Sequence, residues 1–141
     1  MKFRKVKDGF LVRLEKGDKV VASLAEFVRQ QNIPSGIING IGAITDATLG
    51  IFDIEQKEYF KKTFKDNLEV GNLTGNISWV ETTGEPFVHL HATVSERSLC
   101  AYTGHLYEAT VSVTIELYIK VFEEKLFRKP DPEVGFSFWQ L

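Results

Sequence analysis

The chain has 141 residues, 43% hydrophobic and 26% charged, with 17 basic against 19 acidic side chains and a formal net charge of −2. This is the size and composition of one soluble domain, 1–141, with a core of its own, which excludes disordered, collagen-like and low-complexity classes. No stretch reaches the ~18 uninterrupted apolar residues of a membrane span, the opening MKFRKVKDGF lacks an apolar signal run, and the single cysteine excludes an internal disulfide, so a cytoplasmic protein without membrane contact is expected. Asp8-Gly9, between two short runs of β-favouring residues over 3–14, predicts a hairpin. From 18 to 31 the apolar positions Val20, Val21, Leu24, Ala25, Phe27 and Val28 recur at helical spacing, with Asp18 as the expected N-cap and Pro34 beyond the end. Its polar face should look to water while the apolar stripe lies on a sheet.

After Pro34 the pattern turns to β. Strands are expected over 36–41, 43–53, 58–65, 68–73, 76–81, 87–95 and 109–122, punctuated by Gly71, Gly75, Gly84 and Pro86. Near the C-terminus Pro130, Asp131, Pro132 and Gly135 forbid a long element, yet Phe136, Phe138, Trp139 and Leu141 are too apolar for water, so this stretch should dock. The fold class is α+β, a mostly antiparallel sheet with one main flanking helix.

Several constellations have bland readings. In GIINGIGAIT, Gly40 and Gly42 are followed by Thr45 where a dinucleotide fingerprint needs its third glycine, which leaves a glycine-permitted bend or close strand contact. Cys100 has no neighbouring cation in sequence and is read as a small packed thiol. Lysines interleave with Tyr59, Phe60 and Phe64 in KEYFKKTFK, but Glu55, Glu58 and Asp66 flank them; a lysine-protected edge strand explains the cluster more simply than a nucleic-acid surface. Eleven phenylalanines, with Phe52, Trp79 and Phe87 on strands, suggest a partner surface.

The histidines carry more. There are only three, His89, His91 and His105, and in PFVHLHATVS the strand period puts Phe87, His89, His91 and Thr93 on one face. A turn after Ser95 would return the chain antiparallel and bring Thr103, His105 and Tyr107 alongside. Three converging neutral imidazoles form the ligand set of an open zinc or other divalent transition-metal site; the alternative is ordinary, hydrogen-bonded sheet histidines. Glu108 and Glu116 are minor candidates for a supporting carboxylate, Glu116 because TIELYI surrounds it with apolar residues.

Together NGIGAITDATLGIFD, LEVGNLTGNIS, PFVHLHATVS and TGHLYEATVSVTIE resemble the PPC domain, the "plants and prokaryotes conserved" domain, over about 12–122. The resemblance implies a compact homotrimer with a mostly antiparallel sheet and a flanking helix. Plant members carry this domain after AT-hooks and bind DNA in the nucleus, and prokaryotic members inherit a DNA-binding label. This chain has no Arg-Gly-Arg-Pro hook core to enter a minor groove, and its charge does not favour DNA. The fold is also similar to that of acetolactate decarboxylase, whose zinc is held by an HxH pair plus a downstream histidine, a pattern matched by His89, His91 and His105. The resulting expectation is a stand-alone cytoplasmic PPC trimer, a DNA-binding or regulatory module with a metal at the three histidines in or near a subunit interface. The alternative is a metal-dependent lyase or hydrolase acting on a small oxo- or hydroxy-acid, with Tyr107 or Glu108 assisting.

Overall fold

Two long strands stand where four short ones were expected. In the computed structural model, which describes residues 1–141, the elements are β1 (Lys2–Val6), β2 (Gly9–Glu15), α1 (Val20–Gln30), β3 (Ser35–Asp53), β4 (Glu58–Phe64), β5 (Leu68–Val80), β6 (Pro86–Ser95), β7 (Ala101–Phe122), β8 (Phe127–Pro130) and β9 (Ser137–Trp139). The glycines read as strand ends are passed through. Gly42, at φ 153°, sits where the pairing of β3 shifts register, and a Cβ there would lie 2.1 Å from the Thr114 carbonyl oxygen of β7. The GIGA segment is thus a bulge pressed against a neighbouring strand.

β7 pairs with β3, β3 with β5, β5 with β6, and β6 back with β7, all antiparallel, so four strands close on themselves. The expected β1–β2 hairpin forms but turns one residue earlier, at Lys7-Asp8 with Gly9 opening β2 opposite Val6, and it lengthens the sheet along β7. β4 lines β3 as a lysine-bearing edge, and β8 joins β5 in parallel with β9 beside it. Inward residues of the closed strands, among them Ile38, Ile44, Leu73, Ile77, Leu90, Leu106, Ile115 and Ile119, form one core with Val20, Leu24, Phe27 and Val28 of α1, which crosses β6 and β7. No helix is long and apolar enough to cross a membrane.

Three expectations are corrected. Asp18 does not cap α1: it accepts the Glu15 amide (2.9 Å), and the first-turn amides of Val21 and Ala22 donate instead to the Glu108 carboxylate of β7 at 2.8 and 3.1 Å. A strand residue 87 positions away thus does the work of a local cap, because it offers the same anionic oxygens to the same orphan donors. Cys100 is exposed in the turn between β6 and β7, not packed. Trp79 is no surface aromatic; it is buried, and its indole donates to the Ile33 carbonyl at 3.0 Å.

Candidate metal centre

Alternation along β6 sorts its side chains as the sequence predicts: Val88, Leu90, Ala92 and Val94 are buried in the core, and Phe87, His89, His91 and Thr93 lie on the other face. His91 stands directly across from His105 of β7, and Thr93 across from Thr103, their hydroxyls 3.1 Å apart. At His105 β7 is flanked on both sides, by His91 of β6 and by Gly50 of β3. Gly104 permits this crowding, since a Cβ there would lie 2.7 Å from the Gly50 carbonyl oxygen.

The three rings are 5.1–5.6 Å apart between centroids, and one ring nitrogen from each falls within 4.8 Å of the others. Burial above all lowers His89 to about 4, helped by the charges of Arg128, His105 and His91. His105 is lowered too, again chiefly by burial, then by His91, Lys61 and Arg128. Both are therefore neutral near pH 7, the form that offers a lone pair to a metal. Nδ1 of His105 is buried without a hydrogen-bond partner. Such an orphan is costly in a native site and is relieved by an ion, so the residues present fit a borderline-soft divalent cation held by three imidazoles. Bound there, the ion would supply a Lewis-acid position open to an oxygen ligand.

The family model of the Plants and Prokaryotes Conserved (PCC) domain matches residues 1–123. The chain belongs to this family. No curated protein matches it. Among solved structures, a putative DNA-binding protein of Ralstonia eutropha is 34% identical at TM-score 0.89, with 99% of this chain and 96% of that one covered. A plant- and prokaryote-conserved (PPC) protein of Pyrococcus horikoshii is 31% identical at TM-score 0.86, covering 99% and 95%. A metal-containing protein of Archaeoglobus fulgidus is 34% identical at TM-score 0.86, with both chains covered completely (100% and 100%). A Staphylococcus aureus protein of unknown function, similar to α-acetolactate decarboxylase, shares the fold alone: 14% identity and TM-score 0.60 over 86% of this chain and 55% of that one.

On this PPC fold the remaining candidates part company. Tyr107 does reach the histidines, its ring 4.9 Å from that of His105, and burial raises its hydroxyl pKa. Glu108 caps α1 and is spent there. Glu116 lies eleven residues beyond His105 along β7, exposed, opposite Ile41 and Arg13. No Asp or Glu lines the cavity of about 950 Å³ in front of the histidines.

What the sequence reading missed is Arg128. Pairing of β8 with β5 sets it opposite Val80, and its guanidinium runs back to Ser78 Oγ (2.7 Å), Asn76 Oδ1 (2.8 Å) and His89 Nδ1 (3.3 Å). An arginine can only donate, so in the metal-free chain His89 Nδ1 accepts and its proton sits on Nε2; an ion on His89 would take that Nδ1 lone pair in place of the Arg128 contact. Nothing in FRKP marks this residue; only the docking of the C-terminal stretch, which was expected, brings it in. Phe52 and Phe87, expected at a partner surface, are instead half-covered by that stretch, Phe52 against Phe136 at 4.3 Å and Phe87 beneath Arg128 at 4.6 Å.

Proposed function

We propose that this protein is a stand-alone PPC-domain binding module of regulatory type, a cytoplasmic homotrimer that carries zinc or another divalent transition metal on His89, His91 and His105. The observation that supports it is the convergence of three ligand nitrogens within 4.8 Å of one another on a rigid strand pair. The metal-containing neighbour from Archaeoglobus adds to it. Elemental analysis of tag-free protein should find about one metal per chain, the load of one three-histidine set. His89→Ala and His105→Ala should lose it while keeping the fold by circular dichroism. A folded wild-type protein without metal after growth in zinc-supplemented medium would overturn the reading.

The trimer is supported by an apolar strip on the outer face of β2, β7 and β3. There the register sets Leu11 beside Tyr118 and Ile41 beside Glu116, with Ile37 and Ile41 exposed at 46% and 60%. These residues are not shared with the cavity before the histidines. Light scattering should give three chains per particle, and Ile41→Arg should reduce it to monomer; a monomeric wild type would remove the trimer. The lone cysteine suits a reducing compartment. DNA enters as a partner through the label of the Ralstonia neighbour, against a net charge of −2. The test is duplex retention at low salt that falls steeply as salt rises; no retention at low salt ends that role.

A further inference from the structure

We propose that the cavity between Arg128 and the three histidines is a binding site for a small organic carboxylate with an apolar body, the carboxylate on the Arg128 guanidinium beside the metal position. The inference rests on the metal-bearing reading above for the neighbouring charge, but its central observation is independent of any ion. Arg128 is only 7% exposed, and every protein partner it has is neutral: Ser78 Oγ, the Ser137 carbonyl (2.9 Å), Asn76 Oδ1 and His89 Nδ1. No carboxylate pairs with it. A buried charge without a counter-ion is strongly disfavoured, and proteins seldom retain one unless something else supplies the opposite sign.

The surroundings point to where that sign comes from. None of the side chains lining the cavity is acidic, while Lys61 stands 4.0 Å above the Tyr107 ring at its edge. A divalent ion on the histidines would add two more positive charges beside the guanidinium and, by taking the His89 Nδ1 lone pair, would leave a further Arg128 N–H without its present partner. Of the five N–H groups of Arg128, the four contacts leave one, on Nη1, without a partner. The cavity therefore selects an anion, and guanidinium suits the planar oxygens of a carboxylate.

The walls select the rest of the ligand. Phe87, Phe136, Phe138, Trp139 and Tyr59 line the same space, and at about 950 Å³ it is at the size of small-molecule sites. Phe87 and Trp139 also flank the guanidinium, at 4.6 and 6.0 Å, so the cationic end and the apolar wall are continuous. A simple inorganic anion would leave that wall wet, which is why an organic acid is favoured over phosphate.

The test uses benzoate, its uncharged isostere benzamide, and inorganic phosphate, titrated calorimetrically into the full chain with and without zinc, with zinc content measured in each sample. Tryptophan emission, compared between the wild type and Trp139→Phe so that Trp79 is subtracted, gives a second readout from within the cavity. Benzoate should bind at least tenfold more tightly than benzamide or phosphate, and Arg128→Gln should lose at least tenfold. Phe136→Ala should weaken benzoate without restoring benzamide. Equal binding of benzoate and benzamide, phosphate binding as tight as benzoate, no binding of benzoate to either form, or unchanged affinity in Arg128→Gln would each overturn the proposal. Since Arg128 is present with or without the ion, benzoate binding to zinc-free protein keeps the anion site even if the metal reading fails. Should Arg128→Gln not fold, the wild-type comparison of benzoate with benzamide decides alone.

Discussion

The two halves of β7 make an internal comparison. Both alternate between the core and the outer side, and both bury aliphatic residues inward, Leu106 in one half and Ile115 in the other. Their outward residues meet different fates. His105 lies where β6 and β3 both flank the strand and, with Tyr107, lines the cavity that the C-terminal stretch closes; Glu116 and Tyr118 lie between β2 and β3 with nothing of the same chain above them. An identical local pattern thus yields a semi-enclosed polar site at one end and an open surface at the other. What separates them is coverage, because partial burial is what favours neutral His105 and leaves its Nδ1 buried without a protein partner.

If the inward sides of the two halves are equivalent, Leu106→Ala and Ile115→Ala should each cost about 2–5 kcal/mol in chemical denaturation. A much smaller loss for Leu106→Ala would break the equivalence and mark the site end as loosely packed. The outward sides should differ in their response to acid. His89, on the strand facing the site end, titrates near 4 when folded against 6.5 when unfolded, so between those values the unfolded chain binds a proton that the folded one refuses. That contribution is complete above about pH 6.5 and is lost as pH falls to about 4. Metal-free protein should lose on the order of 1–2 kcal/mol over this window, after allowing for solvent at the ring. Denaturation midpoints at stepped pH would measure it, and His89→Gln should flatten the slope; an equal slope in that variant would remove the histidine as its source.

The acids of β7 sharpen the contrast further. Glu108→Ala strips two amide partners from the start of α1 and should cost about 1 kcal/mol, with metal content unchanged. Loss of metal instead would return Glu108 to the site. Smallest of all, Glu116→Gln, on the outer strip proposed as the trimer face, should leave metal content as it was and shift the stability of the single chain by less than about 0.5 kcal/mol, as positions exposed in that chain do.

Much of the site could be read in the sequence because it depends on short-range geometry. The period of two in PFVHLHATVS is enough to set His89 and His91 on one face, and a tight return after Ser95 is enough to put His105 opposite His91. Helix α1 was equally legible from its spacing of Val20, Leu24, Phe27 and Val28. Its cap was not, since Asp18 has the right residue type and place, and only the approach of β7 lets Glu108 compete for the same amides. Glycines misled on strand length for a related reason: at Gly75 the absent side chain makes room for a neighbouring strand, which looks in sequence like a turn, whereas at Gly42 the close strand contact the sequence allowed is what the structure shows, within one continuous strand.

Taken alone, then, the sequence determined the helix, the mainly antiparallel β character of the rest, the shared face of the histidines and the family, because these follow from helical spacing, alternation and local motif. Only the tertiary structure decided that four strands close on themselves, that Glu108 caps a helix, and that Arg128 stands uncompensated beside His89. Each of these depends on pairing between segments far apart in the chain, such as Val80 with Arg128, and the free energy that fixes such pairings comes from burying a shared core and satisfying backbone groups, not from any property of the residues themselves.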